Sequence, residues 1–321
     1  MSVLIAVVLL IIGLVVLIAG ADMLVRGAAQ LARVMGLSAF AIGVTVVAFG
    51  TSAPELFASI GAAIQGVPDL AVGNVLGSNI ANILLILGVG SIMVTIGVKR
   101  RVRLIELPIM LGITAGASAL MIDHQITRNE GIMLFAGLIG YVIFIIKAHR
   151  VDIEHEGDGA GALPKSLKID VLMILGGIAG LALGAKALVY GASELALIAG
   201  VPAGVVGTTI VAFGTSLPEL AATVRAAIGK ESDMAVGNIV GSNIFNLLSV
   251  LGITALVHPL TMPPAMEFHV WAMVGVSLVF VLMMMVRPKL GRGIGVLFVL
   301  AYIGYIVISF LRPDVITSAG S

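Results

Sequence analysis

Runs of about 20 apolar residues, divided by short polar breaks, recur along the whole chain. They predict ten transmembrane helices, at 3–21, 38–63, 71–95, 104–122, 130–147, 170–190, 202–228, 235–257, 267–286 and 293–311. The fold class that follows is an all-α polytopic membrane protein. The first run, Val3 to Ala21, lacks the basic stretch of a signal peptide and is long enough to span, so it reads as the first transmembrane helix. One long polar stretch interrupts the pattern midway, from His149 to Lys168. As a linker it divides the chain into a five-helix half at 1–148, a connection at 149–168 and a second five-helix half at 169–321.

Polar residues inside the apolar runs follow a second pattern. Gly50-Thr51-Ser52-Ala53-Pro54-Glu55 returns 164 residues later as Gly214-Thr215-Ser216-Leu217-Pro218-Glu219. Aligned without gaps at that offset, Gly43–Glu55 and Gly207–Glu219 agree at ten of thirteen positions. Ala71–Asn82 and Ala235–Asn246 agree at nine of twelve. Gly20/Gly184, Gly27/Gly191, Gly36/Gly200 and Asp69/Asp233 keep the same spacing. Five spans per half is an odd number, so the second copy is expected upside down relative to the first. Inverted repeats of this kind place a binding site near the bilayer midplane.

The chemistry of the first block follows from its proline. Pro54 has no amide hydrogen and its ring crowds the carbonyl four residues back, so the bond to Gly50 is lost and neighbouring carbonyls turn from the helix axis. Pro218 does the same to Gly214. Thr51 and Ser52 add hydroxyl oxygens one turn before Glu55, and Ala48 lies one turn before Ser52; Ala212, Thr215, Ser216 and Glu219 repeat the set. An acid within a membrane span is costly and marks function, and carboxylate beside bare carbonyl oxygen suits a hard cation.

In the second block Asn74, Ser78 and Asn82 form a polar stripe at i, i+4 and i+8, copied by Asn238, Ser242 and Asn246. Gly73 with Gly77, and Gly237 with Gly241, would let another helix approach closely and bring the stripe against the broken helix. Asn79 and Asn243 point off the stripe and read as structural. One Pro-kinked helix with a Glu is often only a packing kink. Two copies at one offset, each followed by an amide stripe, argue for ion binding.

Composition sets the limits on function. Hydrophobic residues make up 60%, charged residues 11%, and mean hydropathy is +1.18, which excludes a soluble domain. The absence of cysteine excludes disulfides and thiolate metal sites. There is no Walker A sequence to drive an ATP-powered pump, and Ser and Thr have no catalytic-base constellation beside them, so no enzyme is expected. No cofactor, nucleic acid or obligatory protein partner is implied; the expected partners are the transported ions and the lipid bilayer.

Charge also sets orientation. With the N-terminus outside, fifteen of the eighteen Lys and Arg residues fall in cytoplasmic loops, leaving Arg128, Lys186 and Arg312 outside. An integral protein of the plasma (inner) membrane is expected, with both termini outside and the central linker cytoplasmic. The Lys99 to Arg103 cluster serves as a topology signal, with anionic-lipid binding as the alternative. His155, Glu156 and Asp158 read as a solvated run, Met283 to Met285 as lipid-facing packing, and Asp22 and Lys186 as side chains that snorkel to the interfaces.

The two blocks, AFGTSAPE with GNVLGSNIAN and AFGTSLPE with GNIVGSNIFN, resemble the paired alpha-repeats of the sodium/calcium exchangers in the cation/calcium antiporter superfamily. The likeness covers both repeats and the ten-span layout. It implies a secondary active antiporter that exchanges sodium for calcium by alternating access, the helices at 3–21 and 170–190 sliding across the remaining bundle. By resemblance, Glu55 and Glu219 bind calcium with main-chain oxygens of Thr51 and Thr215. Sodium would use these with Ser52, Ser216, Ser78, Ser242, Asn82 and the carbonyls of Ala48 and Ala212, with Asn246 as a further candidate.

Charge balance fits this reading, since two carboxylates neutralise one divalent cation and leaving both bare in the membrane is costly. An empty carrier therefore resists crossing, and exchange becomes obligatory. The alternative is a calcium/proton or broader divalent-cation antiporter, although the Gly-Asn-Ala-x-Glu motif typical of proton-driven relatives is missing. A channel would need a continuous pore instead. The chain departs from some relatives at Asn246, where potassium-dependent exchangers among others carry an acid, so no obligatory need for potassium is expected.

Overall fold

Within a bilayer no water satisfies backbone N–H and C=O groups, so long apolar runs close into helices that bond internally. The computed structural model describes residues 2–150, 167–200 and 212–311. Its helices are Val3–Met35 (α1), Ala39–Thr51 (α2), Ala53–Ile64 (α3), Pro68–Met93 (α4), Val102–Leu120 (α5), Arg128–Ala148 (α6), Leu167–Ile198 (α7), Leu217–Ile228 (α8), Ser232–Val257 (α9), Pro264–Val286 (α10) and Arg292–Leu311 (α11). A single turn at Ala212–Gly214 precedes α8. Eight of these described helices are long and apolar enough to cross a membrane, and the bent pair α2 and α3 makes up to nine. The expected span at 202–228 lies partly outside the described residues, as do His155, Glu156 and Asp158.

Two helices are longer than hydropathy predicts. The first was expected to end near residue 21 and the sixth span to cover 170–190, whereas α1 runs to Met35 and α7 covers Leu167–Ile198. Asp22, Arg26 and Arg33 lower the hydropathy of α1 without breaking it, because none lacks an amide hydrogen or frees a left-handed backbone. Gly36 ends the helix instead: it adopts φ 61°, ψ 39°, and the Leu37 N–H closes onto the Ala32 carbonyl at 2.9 Å.

The described chain forms two compact units that interleave its halves. The first comprises Met1–Pro54 and Ile145–Asn238, the second Glu55–Phe144 and Ile239–Ser321. Within the first, α1 and α7 pair along a glycine seam. A Cβ added at Gly20 would lie 2.6 Å from the Leu181 nitrogen, at Gly177 2.5 Å from the Leu24 nitrogen, and at Gly184 2.5 Å from the Leu17 nitrogen. Leu17, Gly20 and Leu24 on α1 thus meet Gly184, Leu181 and Gly177 on α7 in reverse order, so the two helices run antiparallel. Val3 and Leu167, which open them, are repeat equivalents.

Within the second unit the core is built on α4 and α9, whose Leu76, Ile80, Ile83, Ile86, Ile244 and Leu247 are fully buried. Outer helices instead expose apolar side chains, as Leu297 and Leu300 do on α11, which suits a lipid solvent. Two short antiparallel ribbons tie loops together: Ile96–Gly97 (β1) pairs with Lys289–Leu290 (β4), and Gln125–Ile126 (β2) with Leu260–Thr261 (β3). At the repeat offset β1 maps onto β3 and β2 onto β4, so each ribbon is the image of the other. Glycine contacts obey the same exchange: Gly88 meets Gly295, and Gly131 meets Gly252.

The second unit also corrects several expectations. Met284 is fully buried rather than lipid-facing. Arg103 donates to the Met284 and Met285 carbonyls at 3.2 and 3.4 Å, capping α10, and Arg101 lies 3.9 Å from buried Glu106. Part of the basic cluster therefore serves a helix end. In the first unit Gly237 makes the close approach expected of it, meeting the Phe40 carbonyl so closely that a Cβ would fall 2.5 Å from it. Gly204 and Gly207, the repeat equivalents of Phe40 and Gly43, lie outside the described residues.

Candidate functional site

The helix break lies where the proline chemistry puts it. Ser52 ends α2 with φ −84°, ψ 2°, and α3 continues at an angle of 43°. Ser216, its repeat equivalent, has φ −88°, ψ 3° and opens α8. Glu55 and Glu219 thus occupy the first turns of α3 and α8, where unsatisfied N–H groups favour negative charge. Both acids are 1% exposed.

In the first unit, Glu219 Oε1 accepts a hydrogen bond from the Ser52 hydroxyl at 3.0 Å. Its Oε2 is buried and accepts none. Thr51 is fully buried; its hydroxyl lies 3.2 Å from Asn238 Oδ1 and 3.3 Å from the Ala48 carbonyl, sharing one hydrogen between them. Asn238 is oriented by donating to Thr223 Oγ1 at 2.9 Å. Ser216 is buried and Thr215 half-buried, while Ala212 opens the short turn before them. Ala48 differs from expectation: its carbonyl is not bare but accepts from the Ser52 N–H at 2.9 Å as well as facing Thr51.

In the second unit Asn74 donates to the Glu55 carbonyl at 3.3 Å and to Ser59 Oγ at 3.0 Å, anchoring the turn that bears the acid. The Asn74–Ser59 bond and the Asn238–Thr223 bond are repeat equivalents, so the top of each stripe serves as a brace. Farther along the stripes Ser78, Asn82, Ser242 and Asn246 are all buried. Asn82 and Asn246 each open a π-helical turn, Asn82–Ile86 and Asn246–Val250. Such turns insert a residue into the ladder and occur frequently at functional sites. Asn82 Oδ1, Asn246 Oδ1 and Ser242 Oγ are buried with no hydrogen-bond partner.

Buried oxygens without donors are unusual and call for an explanation such as an ion. Among the described residues no three His, Cys, Asp or Glu side chains cluster, so a cation held here would need hydroxyl, amide or carbonyl oxygens beside its carboxylates. Calcium and sodium take such mixed oxygen shells. Asp22, expected only to snorkel, is instead paired: Arg225 on α8 reaches it at 2.6 Å and Arg26 at 2.8 Å. The polar character of Asp22 was visible in the sequence, but its partner lies 203 residues away.

Buried acids at repeated helix breaks, on apolar spans and beside oxygen donors, belong to a membrane cation carrier. Comparison with known proteins narrows the class. The family model described as sodium/calcium exchanger protein matches residues 5–147 and 169–311. The inner membrane protein YrbG of Escherichia coli is 38% identical over 257 residues, covering 77% of this chain and 79% of the relative. The sodium/calcium exchanger MaX1 of Methanosarcina acetivorans is 32% identical, covering 81% and 85%. Among solved structures, the sodium-calcium exchanger NCX_Mj soaked with 10 mM sodium and no calcium superposes with a TM-score of 0.85 at 32% identity, over 97% of this chain and 100% of that one. The chain belongs to the sodium/calcium exchanger family, and its general activity is that of a cation/calcium antiporter rather than an enzyme.

Proposed function

We propose that the chain exchanges sodium for calcium by alternating access. Glu55 and Glu219 carry the charge that balances calcium, with main-chain oxygens of Thr51 and Thr215. Sodium uses these together with Ala48, Ser52, Ser78, Asn82, Ala212, Ser216, Ser242 and Asn246. The observation that carries this reading is Glu219: a buried carboxylate at a repeated helix break, with one oxygen fixed by Ser52 and the other without a hydrogen bond. If three sodium ions trade for one calcium, each cycle moves one net charge, worth about 2.3 kcal/mol per 100 mV.

Ten helices arranged as two inverted five-helix repeats, at 1–148 and 169–321, complete the proposal. Coincident element bounds at the repeat offset support it: Ala53–Ile64 with Leu217–Ile228, and the π turns at Asn82–Ile86 with Asn246–Val250. The antiparallel pairing of the equivalent helices α1 and α7 supports the inversion. Orientation rests on the distribution of basic residues. Cysteines introduced at Ser2, Gly157 and Ser318 are expected to label from outside, only after permeabilisation, and from outside respectively; a reversed pattern overturns the orientation.

The decisive experiment uses purified protein in liposomes, with calcium flux measured under sodium, potassium and proton gradients imposed separately. Flux driven by sodium alone is expected. Flux driven by protons would select the calcium/proton antiporter, and conductance without a counter-ion would select a channel.

A further inference from the structure

Four asparagines on α4 and α9 form a closed set. Asn79, Asn82, Asn243 and Asn246 are each 1% exposed, and the offset of 164 relates Asn79 to Asn243 and Asn82 to Asn246. Asn82 Nδ2 donates to Asn243 Oδ1 at 3.0 Å, and Asn246 Nδ2 donates to Asn79 Oδ1 at 3.1 Å. The two bonds are images of each other under the repeat. Asn79 is itself oriented, since its Nδ2 donates to the Asn243 main-chain carbonyl at 3.3 Å and lies 3.5 Å from Met273 Sδ. Asn243 Nδ2 faces Met110 Sδ at 3.9 Å, a weak acceptor.

The bookkeeping of donors and acceptors leaves one kind of atom over. Each inner amide, Asn82 and Asn246, has an NH2 engaged by an outer asparagine and an Oδ1 that is buried without a partner. An amide has two chemically opposite heads that interchange on a half-turn about its last bond: the oxygen ligates cations, and the NH2 repels them. Turning Asn246 over would set its oxygen against Asn79 Oδ1, acceptor on acceptor, in a buried site where such a mismatch is costly. Turning Asn82 would do the same at Asn243.

We propose that Asn79 and Asn243 are positioning residues that hold the amides of Asn246 and Asn82 oxygen-outward, so that sodium meets a ligand atom and not an NH2 group. The proposal rests on the reading of Asn82 and Asn246 as sodium ligands. It gives a role in ion selection to two side chains that point away from the polar stripe and otherwise pass as packing.

The test is sodium-driven calcium uptake into liposomes, with the half-saturating concentrations of sodium and calcium measured separately, on variants whose thermal melting in detergent shows a folded protein. Asn79→Ala and Asn243→Ala are each expected to raise the sodium half-saturation about five- to tenfold, the scale of one lost buried hydrogen bond. Calcium half-saturation, measured in calcium/calcium self-exchange, should move less than about twofold, because calcium does not use these amides. The discriminating arm is Asn79→Ala combined with Asn246→Asp. A carboxylate has two equivalent oxygens and needs no orienting partner, so Asn79→Ala should there bring no further rise in sodium half-saturation.

Equal losses for both ions, or the same penalty persisting beside Asn246→Asp, would reduce Asn79 to packing and overturn the proposal. A separate arm guards the underlying reading: if Asn82→Ala and Asn246→Ala leave sodium half-saturation unchanged, these asparagines are not ligands and the site assignment itself fails. Where Asn79→Ala does not fold, Asn79→Ser and Asn243→Ser carry the same comparison.

Discussion

The two copies of the repeat agree closely at the helix break and disagree at its outskirts. Ser52 and Ser216 share backbone angles within a few degrees, Glu55 and Glu219 share their burial, and the braces Asn74–Ser59 and Asn238–Thr223 differ only by a methyl group. By contrast, the paired Asp22 and Arg225 correspond in the other copy to Lys186 and Gly61, which cannot form an ion pair. Symmetry has been kept where an ion would be bound and lost where helices meet water or lipid. Positions that match across the copies are therefore expected to govern transport, and positions that differ to tune it.

The largest effect should come from breaking the match at the acids. Glu55→Gln and Glu219→Gln are each expected to abolish calcium transport while leaving a folded protein, since one remaining negative charge cannot balance a divalent ion in a dry site. Calcium flux in liposomes with melting curves as control decides this, and wild-type flux in either variant would move the site elsewhere. If these carboxylates hold the cations as proposed, protons compete with them, so native flux should weaken as pH falls through the acidic range; calcium uptake independent of pH there would contradict it.

Next come the glycines of the α1–α7 seam, which match in kind across the copies. Gly177→Ala and Gly184→Ala each force a methyl group against backbone atoms 2.5 Å away and should cost about 1–3 kcal/mol of stability. Gly112→Ala and Gly116→Ala, with no atom within 4 Å of the added carbon, are the controls and should leave melting unchanged or slightly raised. Equal melting shifts for both pairs would mean that the seam is looser than described.

A subtler change tests Asn246, whose neutral amide is proposed to ligate sodium. The native chain should transport without potassium. Asn246→Asp would add a third carboxylate to the proposed ligand set, and its calcium uptake should become more sensitive to pH or respond to potassium. Uptake profiles that overlay those of the native chain would remove Asn246 from the ion path. Asp22→Asn should have the smallest effect. Its ion pair is partly exposed, with the Asp22 side chain at 31%, and such pairs contribute at most about 1 kcal/mol. Turnover should shift by less than about fivefold with ion half-saturation unchanged, and a larger change in ion affinity would show that Asp22 acts at the site itself.

Much of this was legible in the sequence, because membrane insertion and proline chemistry are local. Apolar runs located the eight to nine described spans, Pro54 and Pro218 located the breaks, and the repeated motif singled out Glu55 and Glu219. The features that escaped depend on partners far along the chain. Nothing near Asn82 or Asn246 announces a π turn, and the orientation of their amides is set by side chains on the opposite helix. Hydropathy placed the end of α1 fourteen residues early, since it senses lipid rather than hydrogen bonding. The burial of Met284 and the pairing of Asp22 likewise follow from packing, whereas the Ala48 carbonyl is engaged locally, by Thr51 and Ser52 in the next turn.

The reciprocal bonds between Asn79, Asn82, Asn243 and Asn246 also bear on how the chain is made. At a synthesis rate of about 5–20 residues per second, the second pair of asparagines emerges on the order of ten to thirty seconds after the first. Throughout that interval Asn79 and Asn82 have entered the bilayer on a helix whose amide partners do not yet exist. The N-terminal half is thus an unfinished object during biogenesis, carrying bare polar groups in lipid. A chain cut short between the halves would keep those groups without their amide partners, so the isolated first half should be less stable in the membrane than the full chain.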